Sequence, residues 1–378
     1  MALDLADGRY DRQELITWWD QPTLASASAL VVGAGALGNE IAKNLALVGV
    51  GAITLLDFDV IEYSNLARCV LFRDEDMGRR KAEVAAEAVK RLNPEIHAVG
   101  LHQDIRAMGL GRLGEFDVVV AGLDNREARA WINQAARKLG MPWIDGAIEG
   151  LRGLARVFVP EGPCYECTLG EVDRELLSRR RTCALLTEDE MLGGKVPTTA
   201  TSASIIAAIE VQEAIKLIHG RSDMLALANR ALMYVGETLE TYHVEYSEDP
   251  DCLAHDLYRD ITPFPYSDVT TARALVEVAE ALMHGPVAVE FENEILASAR
   301  CSACATEHRI DRMITQVDAR AGTCDRCGLA YALDARRTLG LDDSILDIPL
   351  QSLGVPAADI VTVHGATGRM HFLLEPTQ

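Results

Sequence analysis

The stretch VVGAGALGNEIAKNLALVGVGAITLLDFDVIEYSNLAR, residues 31–68, decides the fold of this chain. It contains an apolar run, a Gly-rich turn, a helical pattern of apolar residues and a second apolar run that ends at Asp57. The turn has the pattern GxGxxG, formed by Gly33, Gly35 and Gly38. A helix that begins at such a turn directs free backbone N–H groups and the positive end of its dipole at a phosphate. This order of elements predicts a Rossmann-like α/β domain that binds a nucleotide.

Residues beyond the turn bear on which nucleotide is bound. Asp57 lies about 20 residues after Gly38, a spacing typical of a ribose-binding carboxylate that fits NAD as well as ATP. Asp59, Asn65 and Arg68 follow the second strand. Lys81 begins the next amphipathic helix, and Asp124 and Asn125 end a third strand-like run. Because ligands bind at the carboxyl ends of parallel strands, we expect Asp57, the two cations and Asp124 to converge on one crevice. Two cations and a spare carboxylate suit a triphosphate with a metal ion. Taken alone, Arg68 or Lys81 would be interpreted as ordinary surface charge.

Composition excludes several other classes of protein. The 378 residues include 36 Lys and Arg against 57 Asp and Glu, a net charge of −21, which argues against binding to nucleic acid or to an anionic membrane. The first residues, MALDLADGRYDRQE, show no signal-peptide pattern, and no apolar stretch is long enough for a membrane span. We therefore expect a cytoplasmic protein, in which the nine cysteines serve metal binding or catalysis rather than disulfides.

The cysteines occur mainly in CxxC pairs, the spacing of a zinc knuckle. One pair, Cys164 and Cys167, lies in GPCYEC. Two more pairs, CSAC and CDRC, are separated by 19 residues and supply four thiolates: Cys301, Cys304, Cys324 and Cys327. This spacing is typical of a zinc ribbon, the alternative being a pair of disulfides.

Seven motifs in a fixed order connect the chain to a known family. They cover residues 9 to about 255 and read RYDRQ, GAGALG, LLDFDVIEYSNLAR, GRRKAE, GLDNREAR, CYEC and VPTTATSASIIAAIEVQEAIK. With these motifs the sequence resembles the ThiF/MoeB/ubiquitin-activating enzyme superfamily. An NAD dehydrogenase would account for the glycines and Asp57 but not for the other motifs.

The resemblance implies ATP-dependent adenylation of the C-terminal glycine of a ubiquitin-like or sulfur-carrier protein. The implied nucleotide-binding residues are Gly33, Gly35, Gly38, Asp57, Asp59, Asn65, Arg68, Lys81 and Asn125. Within this set the glycines admit the nucleotide, Asp57 binds the ribose, and Asn65, Arg68 and Lys81 bind the phosphates. Asp124 is the implied Mg²⁺ ligand. Arg12 matches an arginine that the family lends to the ATP site of a partner, which implies a homodimer; an exposed arginine without a role is the alternative.

The resemblance also bears on the remaining cysteines. In the family a later CxxC closes the zinc site begun by Cys164 and Cys167. Here that place reads CLAH, so Cys252 and His255 are the implied ligands, and His255 departs from the pattern. Cys183 lies where the family has its crossover loop, just after three arginines that favour a nucleophilic thiolate, and is a candidate for thioester formation. Cys69 lies in an apolar run and is expected in the core.

The chain divides into two predicted domains. Residues 1–258 form the adenylation domain, with a crossover loop at about 171–196 and a long buried helix from Thr199 to Ile218. The two prolines of residues 260–268 predict a linker. Residues 259–378 then form a small α+β zinc-ribbon domain that binds a partner, with a purely stabilising role as the alternative.

The sequence therefore predicts an activating enzyme for a ubiquitin-like protein, which it passes to Cys183 as a thioester and then to a conjugating enzyme. One alternative is a sulfur-carrier adenylyltransferase of molybdopterin or thiamin type that needs no thioester. Another is an inactive scaffold that binds a ubiquitin-like partner. An NAD oxidoreductase is the least favoured.

Overall fold

A computed structural model describes residues 8–170, 197–318, 322–366 and 368–377. Cys183 and the predicted crossover loop lie outside these residues. The chain forms two compact units, each described here by itself. The first contains the residues up to 105 together with 114–169 and 197–256, and the second contains 106–113 and the residues from 257 onwards.

The first unit is built on an eight-stranded mixed sheet with the order β3-β2-β1-β4-β5-β6-β7-β8. Its strands are β1 Ser28–Val32, β2 Ala52–Leu56, β3 His97–Leu101, β4 Val118–Ala121, β5 Trp143–Glu149, β6 Arg152–Phe158, β7 Arg230–Val235 and β8 Glu240–Glu245. The strands from β3 to β5 pair in parallel, and β6, β7 and β8 extend the sheet by antiparallel pairing. The predicted Rossmann-like fold is confirmed.

The helices of this unit begin and end where the sequence supplies capping residues. They are α1 Gln21–Ser26, α2 Ala36–Val48, α3 Lys81–Leu92, α5 Arg126–Leu139 and α6 Ala200–Ile218. The side chain of Asn125 caps α5, and that of Thr199 caps α6. Gly49 ends α2 in the left-handed conformation, with a φ of 83°.

The long helix α6 forms the centre of the first core. Ala203, Ile206 and Ala207 are fully buried, which confirms that the first half of this helix is a core element. A Cβ at Gly153 of β6 would lie only 2.4 Å from Ile206, so this glycine lets the helix pack directly on the sheet.

The second unit combines a six-stranded sheet with short helices. The strands are β9 Ile261–Tyr266, β10 Val287–Arg300, β11 Glu307–Met313, β12 Ala332–Leu339, β13 Ile360–Gly365 and β14 Gly368–Pro376. The order is β11-β10-β13-β14-β9, and β12 pairs with β10. The helices are α4 Leu110–Leu113, α7 Ala272–Met283 and α8 Leu350–Leu353. One face of β10, including Val289, Phe291 and Ile295, packs in an apolar core with α7.

The predicted linker at residues 260–268 is wrong. Residues 261–266 form β9, which pairs in parallel with β14 at the edge of the sheet. An edge strand needs ladder hydrogen bonds on one side only, so the missing N–H groups of Pro263 and Pro265 are tolerated there. At the C-terminal end of this unit, β13 and β14 form an antiparallel hairpin.

Among the residues that the structure describes, no helix has the length and apolar character to cross a bilayer.

The glycine turn generates a stability prediction. A Cβ on Gly38 would lie 1.7 Å from the carbonyl oxygen of Gly33, whereas a Cβ on Gly35 would meet no atom of the described residues within 4 Å. Because a backbone clash cannot be relieved by side-chain rotation, Gly38→Ala should lower the free energy of unfolding by about 2–3 kcal/mol. Gly35→Ala is the matched control and should change it by less than about 1 kcal/mol. Urea unfolding followed by circular dichroism measures both, and equal losses would refute the packing role of Gly38.

Candidate functional site

The candidate site lies at the carboxyl end of the parallel strands, where β1 and β4 are neighbours. The connection that follows β1 leads to β2 on one side of this pair, and the connection that follows β4 leads to β5 on the other side. Open α/β sheets bind ligands at such a switch point, because the two departing loops leave a crevice between them.

The glycine turn forms the floor of this crevice. Gly33 has a φ of +92°, and a Cβ there would lie 2.6 Å from the carbonyl oxygen of Gly122 at the end of β4. Gly38 lets the first turn of α2 pack on Gly33. In the part of the chain that the structure describes, Gly35 has no such neighbour, and its open face is accessible to a ligand. The first turn of α2 therefore directs its N–H groups into an open space, as phosphate binding requires.

Asn39 fixes the shape of the turn and was missed in the sequence analysis. This fully buried side chain donates from Nδ2 to the carbonyl oxygens of Ala34 (2.7 Å) and Gly35 (3.0 Å). Its Oδ1 accepts from the N–H of Leu71 at 3.0 Å. The sequence does not single it out, because the same helix also carries Glu40, Lys43 and Asn44.

Asp57 connects the end of β2 to the glycine turn. Its Oδ2 accepts from the N–H of Ala34 and its Oδ1 from the N–H of Asp59, both at 2.7 Å. Burial raises the pKa of Asp57, and Lys81 and these hydrogen bonds partly oppose that rise. Each carboxylate oxygen keeps a lone pair, so Asp57 can still accept from a ribose hydroxyl.

Lys81 is the first residue of α3, and its side chain is largely buried. Its Nζ forms an ion pair with Asp59 Oδ2 at 2.7 Å. Burial lowers the pKa of Lys81, but the charges of Asp57 and Asp59 outweigh burial and leave the pKa raised. The site therefore holds a permanent buried cation next to two carboxylates.

Asn65 and Arg68 lie on the turn that follows β2. Asn65 is buried, and its Oδ1 accepts from the N–H of Glu62 at 2.8 Å, so the side chain also shapes this turn. Arg68 is half-buried and donates from Nη1 to the carbonyl oxygen of Ser64 at 2.9 Å. Among the residues that the structure describes, Asn65 thus keeps its amide hydrogens, and Arg68 most of its donors, for other partners.

Asp124 and Asn125 follow β4. Asp124 is exposed, so its carboxylate is accessible to a metal ion. Asn125 Oδ1 accepts from the N–H of Ala128 at 2.7 Å and so caps α5. The amide oxygen of Asn125 is therefore used in the helix cap, and its NH₂ group is the part of the side chain that would contact a ligand.

Arg12 is not brought to the glycine turn of its own chain. The neighbouring Tyr10 accepts from Asn93, and Gln13 donates to the carbonyl oxygen of Leu47. These contacts lie at the ends of α3 and α2, whereas the glycine turn lies at the start of α2. A helix of this length separates the two by roughly 18 Å.

The first metal-binding cluster consists of Cys164, Cys167, Cys252 and His255. The Sγ of Cys164 lies 3.7 Å from those of Cys167 and Cys252. A tetrahedral zinc ion with Zn–S bonds of 2.3 Å places its sulfur ligands about 3.8 Å apart, so this set fits zinc.

His255 completes this cluster. Its Nε2 lies 3.3 Å from Cys167 Sγ, and its Nδ1 lies 3.2 Å from a carboxylate oxygen of Glu248. A carboxylate on the second ring nitrogen is the usual support of a metal-bound histidine, since it fixes the ring orientation and the tautomer.

The second cluster lies in the other unit and brings together Cys301, Cys304, Cys324 and Cys327. The Sγ atoms of Cys301 and Cys327 are 3.5 Å apart, so each CxxC pair contributes to one group. Ala305 and Gly328 follow the two pairs with φ of 53° and 72°, which folds each pair into a knuckle. Four thiolates in this arrangement fit a closed zinc site.

Cys69 has no place in either cluster. It is 3% exposed, and burial raises its pKa to about 11. The prediction that it is a core residue is confirmed.

Comparison with known proteins agrees with this geometry. The ThiF family matches residues 10–254. The SAMP-activating enzyme E1 of Haloferax volcanii is 34% identical over 239 residues, which cover 61% of this chain and 81% of that protein. The molybdopterin-synthase adenylyltransferase of Escherichia coli is 30% identical over 250 residues, covering 65% and 94%. The crystal structure of E. coli MccB with ATP matches with a TM-score of 0.55 and 25% identity, covering 67% of this chain and 75% of that chain.

The two clusters predict the metal content of the purified protein. We expect two zinc ions per chain by plasma mass spectrometry, and one in either Cys167→Ser or Cys304→Ser. Cys69→Ser is the control and should keep two, because Cys69 lies outside both clusters. His255→Cys should retain the first ion and His255→Ala should lose it or bind it weakly, since cysteine restores a fourth ligand. Two ions in every variant would contradict these ligand sets.

Proposed function

The chain belongs to the ThiF family and is an ATP-dependent adenylyltransferase, and from this premise we propose that it activates the C-terminal glycine of a ubiquitin-like or sulfur-carrier protein. The observation that carries the proposal is the buried Lys81 beside Asp57 and Asp59, at the mouth of a glycine turn whose Gly35 faces open space. A buried cation and free helix N–H groups suit the phosphates of ATP, and Asp57 suits its ribose.

In the proposed reaction a carboxylate oxygen of the carrier's C-terminal glycine attacks the α-phosphorus of ATP. The bond from this phosphorus to the bridging oxygen of the β-phosphate breaks, and pyrophosphate leaves with the electron pair. Lys81 and Arg68 bind the phosphates and offset the negative charge that develops on the leaving group. Mg²⁺, which Asp124 would hold, screens the phosphate charge when it is bound.

An apolar stripe in the first unit supports binding of a protein substrate. The strand register places Ala147, Leu154, Met233 and Tyr242 side by side across β5 to β8. This is the face opposite α6, which packs on Gly153. Tyr242 is 50% exposed, and the other three are only partly buried. We propose this stripe as the surface for the apolar face of the carrier protein.

We also propose that two copies of the chain pair and exchange Arg12. The position of Arg12 at the far end of α2 supports this, because it cannot serve the glycine turn of its own chain without a large movement. The charge of a partner's arginine would add to that of Lys81 and Arg68 at the phosphates.

The step after adenylation separates two proposals. In the first, the thiolate of Cys183 attacks the carbonyl carbon of the acyl-adenylate, AMP leaves, and the thioester passes to a conjugating enzyme. The three arginines before Cys183 support it by favouring the thiolate. The alternative is a sulfur carrier that leaves the enzyme as the adenylate without a thioester on Cys183.

We assign partner recruitment to the C-terminal domain, residues 259–378, with the zinc ribbon as its structural centre. We also propose a cytoplasmic location. The eight cysteines in the described part of the chain support it, because all are free thiols there and disulfides are rare in that compartment.

ATP–pyrophosphate exchange tests the adenylation proposal. With Mg²⁺ and a candidate carrier that ends in glycine, we expect exchange by the unaltered protein and a loss of at least about 100-fold in Lys81→Met, since the phosphates lose a charge partner. Lys90→Met is the matched control because Lys90 lies exposed in the last turn of the same helix, and it should stay within about 2-fold. Binding of ATP without exchange for any carrier would favour the inactive scaffold.

The role of Cys183 is tested on non-reducing gels of the same reactions. The thioester proposal predicts an adduct with the carrier that reductant removes and that Cys183→Ala lacks, while pyrophosphate exchange stays within a few-fold. Cys69→Ser should keep the adduct, because Cys69 is buried. Exchange without any adduct would favour the sulfur-carrier alternative.

A further inference from the structure

A buried ion cluster joins α5, β5 and β6 through Arg129, Asp145 and Arg156, none of which belongs to the nucleotide-binding set. Asp145 is fully buried, and its two oxygens bind different arginines. Oδ1 accepts from Arg129 Nε at 2.7 Å, and Oδ2 accepts from Arg156 Nε at 2.8 Å. The arginines are only 7% and 8% exposed. Removing Asp145 would leave two buried arginines without their carboxylate partner, whereas removing one arginine leaves Asp145 paired with the other.

The two arginines differ in where their remaining donors point. Arg129 Nη2 donates to the carbonyl oxygens of Leu123 (2.6 Å) and Gly146 (3.0 Å), and so joins the end of β4 to β5. The guanidinium of Arg156 faces the rings of Phe158 and Tyr165, with its carbon 4.9 Å from the Tyr165 centroid.

Leu123 directly precedes Asp124, whose other neighbour, Asn125, is fixed as the cap of α5. The backbone on both sides of Asp124 is therefore anchored, on one side by Arg129 and on the other by the helix. A planar guanidinium that binds a carboxylate and a carbonyl together restricts position far more than a lysine ammonium does.

Tyr165 and Tyr246 are titratable groups on the Arg156 side of this cluster, and Glu210 lies on the Arg129 side. It is fully buried, lies against Gly146, and its oxygens make no hydrogen bond within the described residues. Burial raises its pKa well above the usual range, an effect that Asp145 strengthens and Arg129 opposes. Because the Glu210 oxygens accept no hydrogen bond within the described residues, Glu210 does not compete with Asp145 for Arg129.

We propose that Arg129 is a positioning residue for Asp124: held by Asp145, it fixes the carbonyl of Leu123 and so places the Asp124 carboxylate for Mg²⁺ bound with ATP. This inference rests on the proposed role of Asp124 in the adenylation site. Arg156 has no part in this positioning, although it shares the same carboxylate.

The test measures ATP affinity of the full-length protein by calorimetry at increasing Mg²⁺. Arg129→Lys keeps the charge but loses the bond to Leu123, and it should raise the Mg²⁺ concentration for half-maximal affinity about 10-fold, as loss of a ligand-orienting group does. Arg156→Lys is the matched control, with equal burial and the same carboxylate partner. It should shift this concentration less than about 2-fold, whatever its effect on stability.

A double-mutant comparison separates positioning from general loosening of the fold. In an Asp124→Asn background, Arg129→Lys should add no further shift, because the carboxylate that it positions is gone. Equal shifts in the two arginine variants, or a full effect of Arg129→Lys in the Asp124→Asn background, would overturn the proposal. Should Arg129→Lys fail to fold by circular dichroism, Asp145→Asn replaces it, with the same expected direction.

These outcomes are independent of the carrier protein. A chain that binds ATP with the predicted Mg²⁺ shifts but exchanges pyrophosphate with no carrier refutes the proposed activation reaction and supports the positioning. If the unaltered chain exchanges pyrophosphate but Arg129→Lys leaves the Mg²⁺ dependence of ATP affinity unchanged, the activation reaction is supported and the positioning role of Arg129 is refuted.

Discussion

The close approach of three backbone segments is the constraint on which the site depends. The end of β1, the first turn of α2 and the end of β4 meet at Gly33, Gly38 and Gly122, where a Cβ would fall 3 Å or less from a neighbouring backbone atom. This packing brings the turn after β1 against the end of β4, at the switch point where the two departing loops leave the crevice. It also places the loops of Asp57 and Asp124 on either side of one helix N-terminus.

The sequence alone could predict the parts of the site that depend on local order. The glycine turn, Asp57 at the end of β2 and Lys81 at the start of α3 all follow from a strand or helix boundary close by in the chain. Asn39 and Arg129 could not be found in this way. Each acts on backbone groups that the tertiary fold brings near, such as the N–H of Leu71, 32 residues from Asn39.

The same reasoning explains the error at residues 260–268. Two prolines exclude a central strand but not an edge strand, and only the order of the sheet reveals which position β9 occupies.

The cysteine clusters depend less on the fold, because a CxxC pair forms its knuckle locally. Even so, the resemblance, and not the spacing, predicted that Cys164 and Cys252 share one cluster, although 88 residues separate them in the chain.

The ion pair of Lys81 with Asp59 is consistent with a site that must accept a highly charged nucleotide on an acidic protein. The side chain of Lys81 is 11% exposed and that of Asp59 is 53% exposed. A buried ammonium needs a partner, so Asp59 stabilises it in the observed structure. An exposed carboxylate costs little to release into water, whereas a phosphate oxygen that replaces it carries at least as strong a charge. Lys81 can therefore exchange Asp59 for phosphate without a change in its own position, and the cation stays ready for a ligand that the net charge of −21 would otherwise repel.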